Sequence, residues 1–267
     1  LSVFPSHFDD RAATVVAGAK VQVLSELVTK SLLLSDGDDR YALHELLRRF
    51  TTQKADEAGH LPIIREAYHR YYSEWIDALY RANLPTHAQL TAIDREYHNL
   101  WMFDGLSHEA RVAYIAQLAK ILPDYWFARG YHLTEGVALL REALPHVHGW
   151  HKANLTVRFG RLLAQTAKYA EARPMLEEGV RLSQAENDVS LEALALAELN
   201  RAVFALGEPE LARGYLLRMV ALYDNLPAND EVALREVFAR AYSNLAVSYL
   251  QLAQLDEAEQ YAQTGLQ

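Results

Sequence analysis

Apolar residues recur at steps of three and four along most of the chain, and one short stretch breaks that rhythm. Ala12, Ala13, Val15 and Val16 follow the capping pair Asp9-Asp10 and precede Gly18, which reads as a short helix with a stop. A second helix begins near Lys20 and ends near Ser31, with Val21, Leu24, Leu27, Val28 and Leu32 along one face. Leu32 to Leu34 and Arg40 to Leu43 flank Ser35-Asp36-Gly37-Asp38-Asp39 and predict two short strands around a glycine-containing loop. Another helix starts at about His44. Gly59 and Pro62 then mark off a helix carrying Ile63, Ala67, Tyr71, Trp75 and Leu79, closed by Asn83-Leu84-Pro85. Trp75, Trp101 and Trp126 read as fillers between packed helices.

Beyond Ser107 the pattern repeats itself. Residues 153–186 resemble a tetratricopeptide repeat. With Ala172 as position 20, Gly160 falls at 8, Leu163 at 11, Tyr169 at 17 and Leu176 at 24, and Tyr169-Ala170-Glu171-Ala172 opens the second helix. The landmark returns at Gly207-Glu208-Pro209-Glu210-Leu211-Ala212 and at Leu255-Asp256-Glu257-Ala258, and Leu133-Thr134-Glu135-Gly136 is a degenerate earlier copy. Gly136, Ala172, Ala212 and Ala258 are 36, 40 and 46 residues apart, so the helices are longer than in a 34-residue repeat. The expected architecture is mainly α: a small unit of helices and one hairpin at 1–60, linker helices at 61–106, and an α-solenoid of tetratricopeptide-like pairs at 107–267.

Composition agrees and narrows the chemistry. The chain is 51% hydrophobic with 12 glycines and 8 prolines in 267 residues, few for a chain rich in turns. It has no cysteine, which removes a disulfide framework, a thiolate metal site and a thiol nucleophile, and fits a cytoplasmic protein. The net charge of −9 supplies no general attraction for phosphates. Ala241 to Leu255, the longest charge-free helical stretch, is too short and too polar to span a membrane. Leu1 is not methionine and no basic-then-apolar leader follows, so a longer parent protein is expected; the last unit breaks off at Gln267 inside its second helix, so further repeats or a partner are expected there.

Helix, helix, hairpin, helix is the order of a winged-helix domain. The segments LSVFPSHFDDRAATVVAG, LSELVTKSLL and RYALHELLRRF resemble the winged helix that follows the nucleotide-binding domain in signal-transduction ATPases with numerous domains, most of all bacterial transcriptional regulators of the LuxR-like and antibiotic-regulator type. Arg70-Tyr71-Tyr72 and Glu96-Tyr97-His98-Asn99-Leu100, followed by Trp101, resemble linker signatures of the same regulators. In the wider family a Met-His-Asp motif opens the last helix of this domain, and Leu43-His44-Glu45 stands in its place with both flanks changed. The resemblance implies an upstream nucleotide-binding domain in the parent protein, ADP or ATP bound there and none in this chain, and a nucleotide-sensing role for His44 by donation to the β-phosphate. The alternative for His44 is a helix cap. Asp36, Asp38 and Asp39 at the hairpin tip argue against direct DNA contact, since a phosphate-contacting wing needs cations.

A solenoid binds on the face of the first helix of each pair. Reading those positions gives Asn154, Arg158 and Arg161, then Glu198 and Arg201, then Arg240 and Asn244, with Gln165 and Gln251 beside them. Repeated guanidinium groups suit the carboxylates of a protein, peptide or small acidic effector, although pairing with carboxylates such as Glu198 is the competing use. His44-Glu45 and His108-Glu109 each open a zinc-protease motif, but Arg48 and Val112 stand where the second histidine belongs. His146, His148 and His151, with His132, flank Pro145 and Gly149 in what reads as a loop, and no metal is assigned. No phosphate-cradling loop, nucleophile elbow or dinucleotide glycine triplet occurs, so no catalytic residue is assigned. The expected function is a non-catalytic sensor segment of a nucleotide-switched transcriptional regulator; a stand-alone tetratricopeptide scaffold and a DNA-binding winged helix with an oligomerising solenoid are the alternatives.

Overall fold

Phe8–Asp9 forms a strand (β1) directly before the first helix, α1 (Asp10–Ala17). Asp9 ends the strand and caps the helix, its carboxylate accepting the Ala12 N–H at 2.7 Å, and Gly18 closes α1 with φ +63°. Then follow α2 (Val21–Thr29), β2 (Leu33–Ser35), β3 (Arg40–Leu43), α3 (Glu45–Glu57), α4 (Leu61–Arg81), α5 (Thr86–Leu100) and α6 (His108–Leu118). This is a computed structural model that describes residues 1–37, 39–82, 86–223, 226 and 228–266. Asp38 and the expected Asn83-Leu84-Pro85 stop lie outside the described residues.

Residues Leu1–Leu118 form one unit and Ala119–Gln267 another. In the first unit the hairpin is a three-stranded sheet, with β3 central and antiparallel to both neighbours, Phe8 opposite Tyr41 and Leu33 opposite Leu43. Strand β1 is two residues long, too short for alternation to show, and so escapes sequence reading. Phe8 is nevertheless fully buried and stacks on Phe4 at 4.4 Å. Of the stripe expected on α4, Tyr71 and Leu79 are buried and Ile63 is exposed, and the row Tyr68, Tyr72, Ile76 packs inward beside them, with Phe4 at 5.4 Å from Tyr68. Three tyrosines in five residues let more than one face look apolar, and the aromatic partners choose between them.

The Glu96-x-x-Asn99-Leu100 signature has a structural use. Glu96, buried on α5, accepts from Arg40 of β3 at 2.5 Å, from Tyr72 of α4 at 2.8 Å and from Asn99 at 2.8 Å. Asn99 also donates to the His7 carbonyl and accepts the Ser6 N–H, so one buried carboxylate and one amide tie the sheet to α4 and α5.

The same unit carries a pH-sensitive element. His69 on α4 is buried against Tyr68, Tyr114 and the Arg65–Asp104 ion pair, with Nε2 3.2 Å from the Asp104 carbonyl and Nδ1 without a hydrogen bond. Burial disfavours its imidazolium and holds its pKa below the usual value near 6.5; the Asp104 carbonyl and carboxylate oppose this only in part, and the nearby Arg65 charge acts with burial. The folded state therefore prefers the neutral ring. Its contribution is present above about pH 6.5 and lost as pH falls through the lowered value. The Tm of the chain is expected to fall more steeply between about pH 7 and 5 than that of His69→Gln; equal slopes would refute the assignment.

The second unit is built from helix pairs: α7 (Leu122–Arg129) with α8 (Leu133–Ala143), α9 (Gly149–Gln165) with α10 (Tyr169–Ala185), α11 (Val189–Ala205) with α12 (Pro209–Val220), and α13 (Ala228–Gln251) with α14 (Leu255–Thr264). The turns close on left-handed residues, Ala167 and Ala253 at φ near +57° and Gly207 at +85°. The small landmark residues permit close approach of the paired helices. A Cβ on Gly136 would lie 2.6 Å from the Trp126 ring and one on Gly160 2.7 Å from Leu176 Cγ, while Ala172, Ala212 and Ala258 are buried. The stretch expected to form repeats from residue 107 meets a unit boundary at 118, and α6 packs on α4 in the first unit. Among the described residues no single helix is long and apolar enough to cross a membrane.

Candidate functional site

The first helices of successive pairs, α9, α11 and α13, place their groove-facing residues beside one another. Between α11 and α13 they leave a cleft of about 400 Å³, floored by α12. Leu194 and Ala197 of α11, Leu216 and Met219 of α12, and Val237 and Ala241 of α13 give it an apolar lining, while Asn244, Ser248 and Gln251 supply neutral polar groups. Among the described lining residues there are four guanidinium groups, Arg161, Arg201, Arg213 and Arg240, and one carboxylate, Glu198. Such a surplus of fixed positive charge in an apolar setting favours an anion.

The cations are not equivalent. Asp124 on α7 accepts Arg158 Nη1 at 2.8 and 2.9 Å and also takes Arg161. Burial alone would raise the Asp124 pKa, but the charges and hydrogen bonds of Arg158 and Arg161 more than offset it and hold the carboxyl below its ordinary value. Arg161 stacks over the Phe127 ring at 4.5 Å and brings Nε to 3.1 Å from Glu198 Oε1. Glu198 Oε2 lies 2.6 Å from Arg201 Nη2, yet no N–H is aimed at it. Arg161 Nε, Arg201 Nε and Nη2, Gln165 Nε2 and Glu198 Oε2 are thus enclosed polar atoms without well-aligned hydrogen bonds, although both arginines form ion pairs with Glu198. Arg213 lies over the Tyr249 ring at 5.6 Å, and among the described residues no carboxylate pairs with Arg240, which is exposed.

Of the groove residues read from the sequence, Arg161, Arg201, Arg240 and Asn244 come together here. Asn154 and Arg158 do not line the cleft. Asn154 is buried and accepts from Arg158 Nε at 3.4 Å within α9, and Arg158 is committed to Asp124 of α7. Sequence reading missed Arg213, because the groove was sought on the first helix of each pair and Arg213 follows Ala212 on a second helix. It also missed Asp124 and Phe127, contributed by the degenerate pair α7/α8.

His44 sits apart, in the first unit, as the N-cap of α3. Its Nδ1 accepts the Leu46 N–H at 3.3 Å and the ring is exposed. Accepting at Nδ1 puts the proton of the neutral ring on Nε2, which remains a donor. The capping use and the anion-sensing use of this histidine are therefore chemically compatible. Among the described residues, no three histidine, aspartate or glutamate side chains converge as a metal-binding group.

Fold and cleft together define an α-solenoid of tetratricopeptide-like helix pairs with an arginine-lined cleft, preceded by a small unit with a three-stranded sheet. No family model matches the chain and no curated protein matches it. Solved structures do resemble it. One is a signal transduction ATPase with numerous domains (STAND) protein with a tetratricopeptide repeat sensor from Pyrococcus horikoshii, at 14% identity and a TM-score of 0.56, covering 99% of this chain and 42% of that one. Another, described as MamA MSR-1 C2, has 17% identity and a TM-score of 0.45 over 76% of this chain and 95% of that one. The likeness to the STAND protein shows the fold, and this chain spans less than half of that protein's length.

Proposed function

We propose that the chain is the regulatory and sensor segment of a nucleotide-switched transcriptional regulator, in which the solenoid groove binds an acidic effector and the first unit docks on a nucleotide-binding domain. The observation that carries this reading is the cleft, where Arg201, Arg213 and Arg240 stand with the single lining carboxylate Glu198 in an apolar setting, Arg161 being neutralised by Asp124. The first unit supports it in a second way. The sheet order β1-β3-β2 and the element order suit a winged helix, and α3 buries none of its thirteen residues while exposing Leu46 and Phe50 one turn apart. A protein surface laid on α3 would meet His44 at its N-cap, and the Nε2–H could reach a bound diphosphate. The solenoid would then shift the balance of closed and open states through the effector's differential affinity for them.

Two measurements separate the parts. In a chain that carries the nucleotide-binding domain, His44→Ala is expected to speed ADP release by about tenfold or more, what loss of one hydrogen bond to a charged group costs; unchanged release would overturn the sensing role. For the groove, an acidic ligand, tested as a ten-residue glutamate-rich peptide and as small carboxylates, is expected to bind the 267-residue chain with an affinity that falls as salt rises. Absence of binding by this peptide and by small carboxylates alike would overturn the effector reading.

A further inference from the structure

The groove is continuous in principle from α9 to α13, but Arg161 crosses it. Its guanidinium lies over Phe127 of α7, pairs with Asp124 of the same helix, and reaches Glu198 of α11. Three elements are thereby held together on the concave face, and an extended chain cannot pass from the α11 segment toward α9 without breaking that linkage. The space left open beyond it is about 400 Å³, the scale of a small molecule.

At the edge of this space Arg201 Nη2 and Glu198 Oε2 form an ion pair 2.6 Å apart that leaves Glu198 Oε2 able to accept a further donor, and Arg161 Nε, Arg201 Nε and Gln165 Nε2 are enclosed donors without a hydrogen bond. An enclosed polar atom left unpaired is costly, so a ligand that satisfies all of them gains more than charge alone would give. From this geometry we infer that the cleft between α11 and α13 binds a compact amphipathic carboxylate bearing an N–H or O–H next to the carboxyl group. The carboxylate takes the Arg201 and Gln165 donors, with Arg240 adding charge. The adjacent N–H or O–H donates to Glu198 Oε2, and the apolar body rests on Leu194, Leu216 and Met219. Phosphate fits less well, since it offers no apolar body and, at neutral pH, a doubly charged head beside Glu198. This inference rests on the groove being the effector site and specifies its ligand.

The test is a titration of the full chain with N-acetyl-L-phenylalanine, its methyl ester, inorganic phosphate and the glutamate-rich decapeptide. The free acid is expected to bind at least tenfold more tightly than the ester. Arg240→Gln, at an exposed position, is expected to weaken the acid at least severalfold and leave the ester unchanged, and Arg201→Gln to weaken it by tenfold or more. Equal binding of acid and ester, or phosphate competing as well as the acid, would overturn the ligand class. Peptide binding without acid binding would overturn the small-ligand inference and leave the effector groove standing; failure of both ligands would remove both. Circular dichroism of Arg201→Gln checks its fold, and if it does not fold, Arg240→Gln alone decides.

Discussion

Glu96→Ala is expected to destabilise the N-terminal unit by about 3–5 kcal/mol, the usual cost of stranding one partner of a buried ion pair. Arg40, with its side chain only 12% exposed, would keep its bonds to the His7 and Arg95 carbonyls but lose its carboxylate partner, while Tyr72 and Asn99 would lose an acceptor. The double variant Arg40→Met, Glu96→Leu is expected to recover much of the loss, because the uncompensated charge goes with the pair. Urea unfolding of the three proteins measures both effects. A loss below about 1 kcal/mol in the single variant would mean that the Glu96 cluster is not what ties the sheet to α4 and α5.

Trp126→Ala is expected to cost a similar amount, about 3–5 kcal/mol, in the second unit. The indole is fully buried in α7 and its ring lies where a Cβ on Gly136 would come within 2.6 Å, so the glycine and the tryptophan are one packing feature. Their coupling gives a sharper check. Gly136→Ala alone is expected to destabilise, since a buried ring cannot move aside, whereas in the Trp126→Ala background the added methyl enters vacant space and is tolerated or favourable. Additive effects would show that the first helix pair is not closed by this contact.

Much of this architecture was legible from residue spacing. The repeat landmarks at Gly136, Ala172, Ala212 and Ala258 fall on second helices of pairs because small residues are required wherever two helices close on each other. Asp9, Gly18 and Pro62 mark helix ends because capping chemistry is local. Strand β1 was hidden because its two residues gain their role from a partner strand some thirty positions away. The stripe of α4 is legible only in part for the converse reason: its sequence permits several apolar faces, so Tyr71 and Leu79 are buried as expected while Phe4 draws Tyr68 inward as well.

The cleft was half legible. Arg161, Arg201, Arg240 and Asn244 could be read from repeat position, since equivalent positions on successive first helices share a face. What spacing does not reveal is which of those side chains is already engaged. Asp124, on a pair too degenerate to align, takes Arg158 and Arg161 out of the free charge and turns an open groove into a bounded cleft. Arg213 entered from the second helix, where the orientation of α12 rather than repeat position decides exposure.

The central claim is that recognition resides between α11 and α13. Hydrogen–deuterium exchange on the 267-residue chain, with and without saturating N-acetyl-L-phenylalanine or glutamate-rich peptide, tests it most directly. Protection concentrated in the amides of α11, α12 and α13, with α4 and α5 unchanged, is the predicted result. Protection elsewhere in the chain while these three helices exchange as before would contradict it.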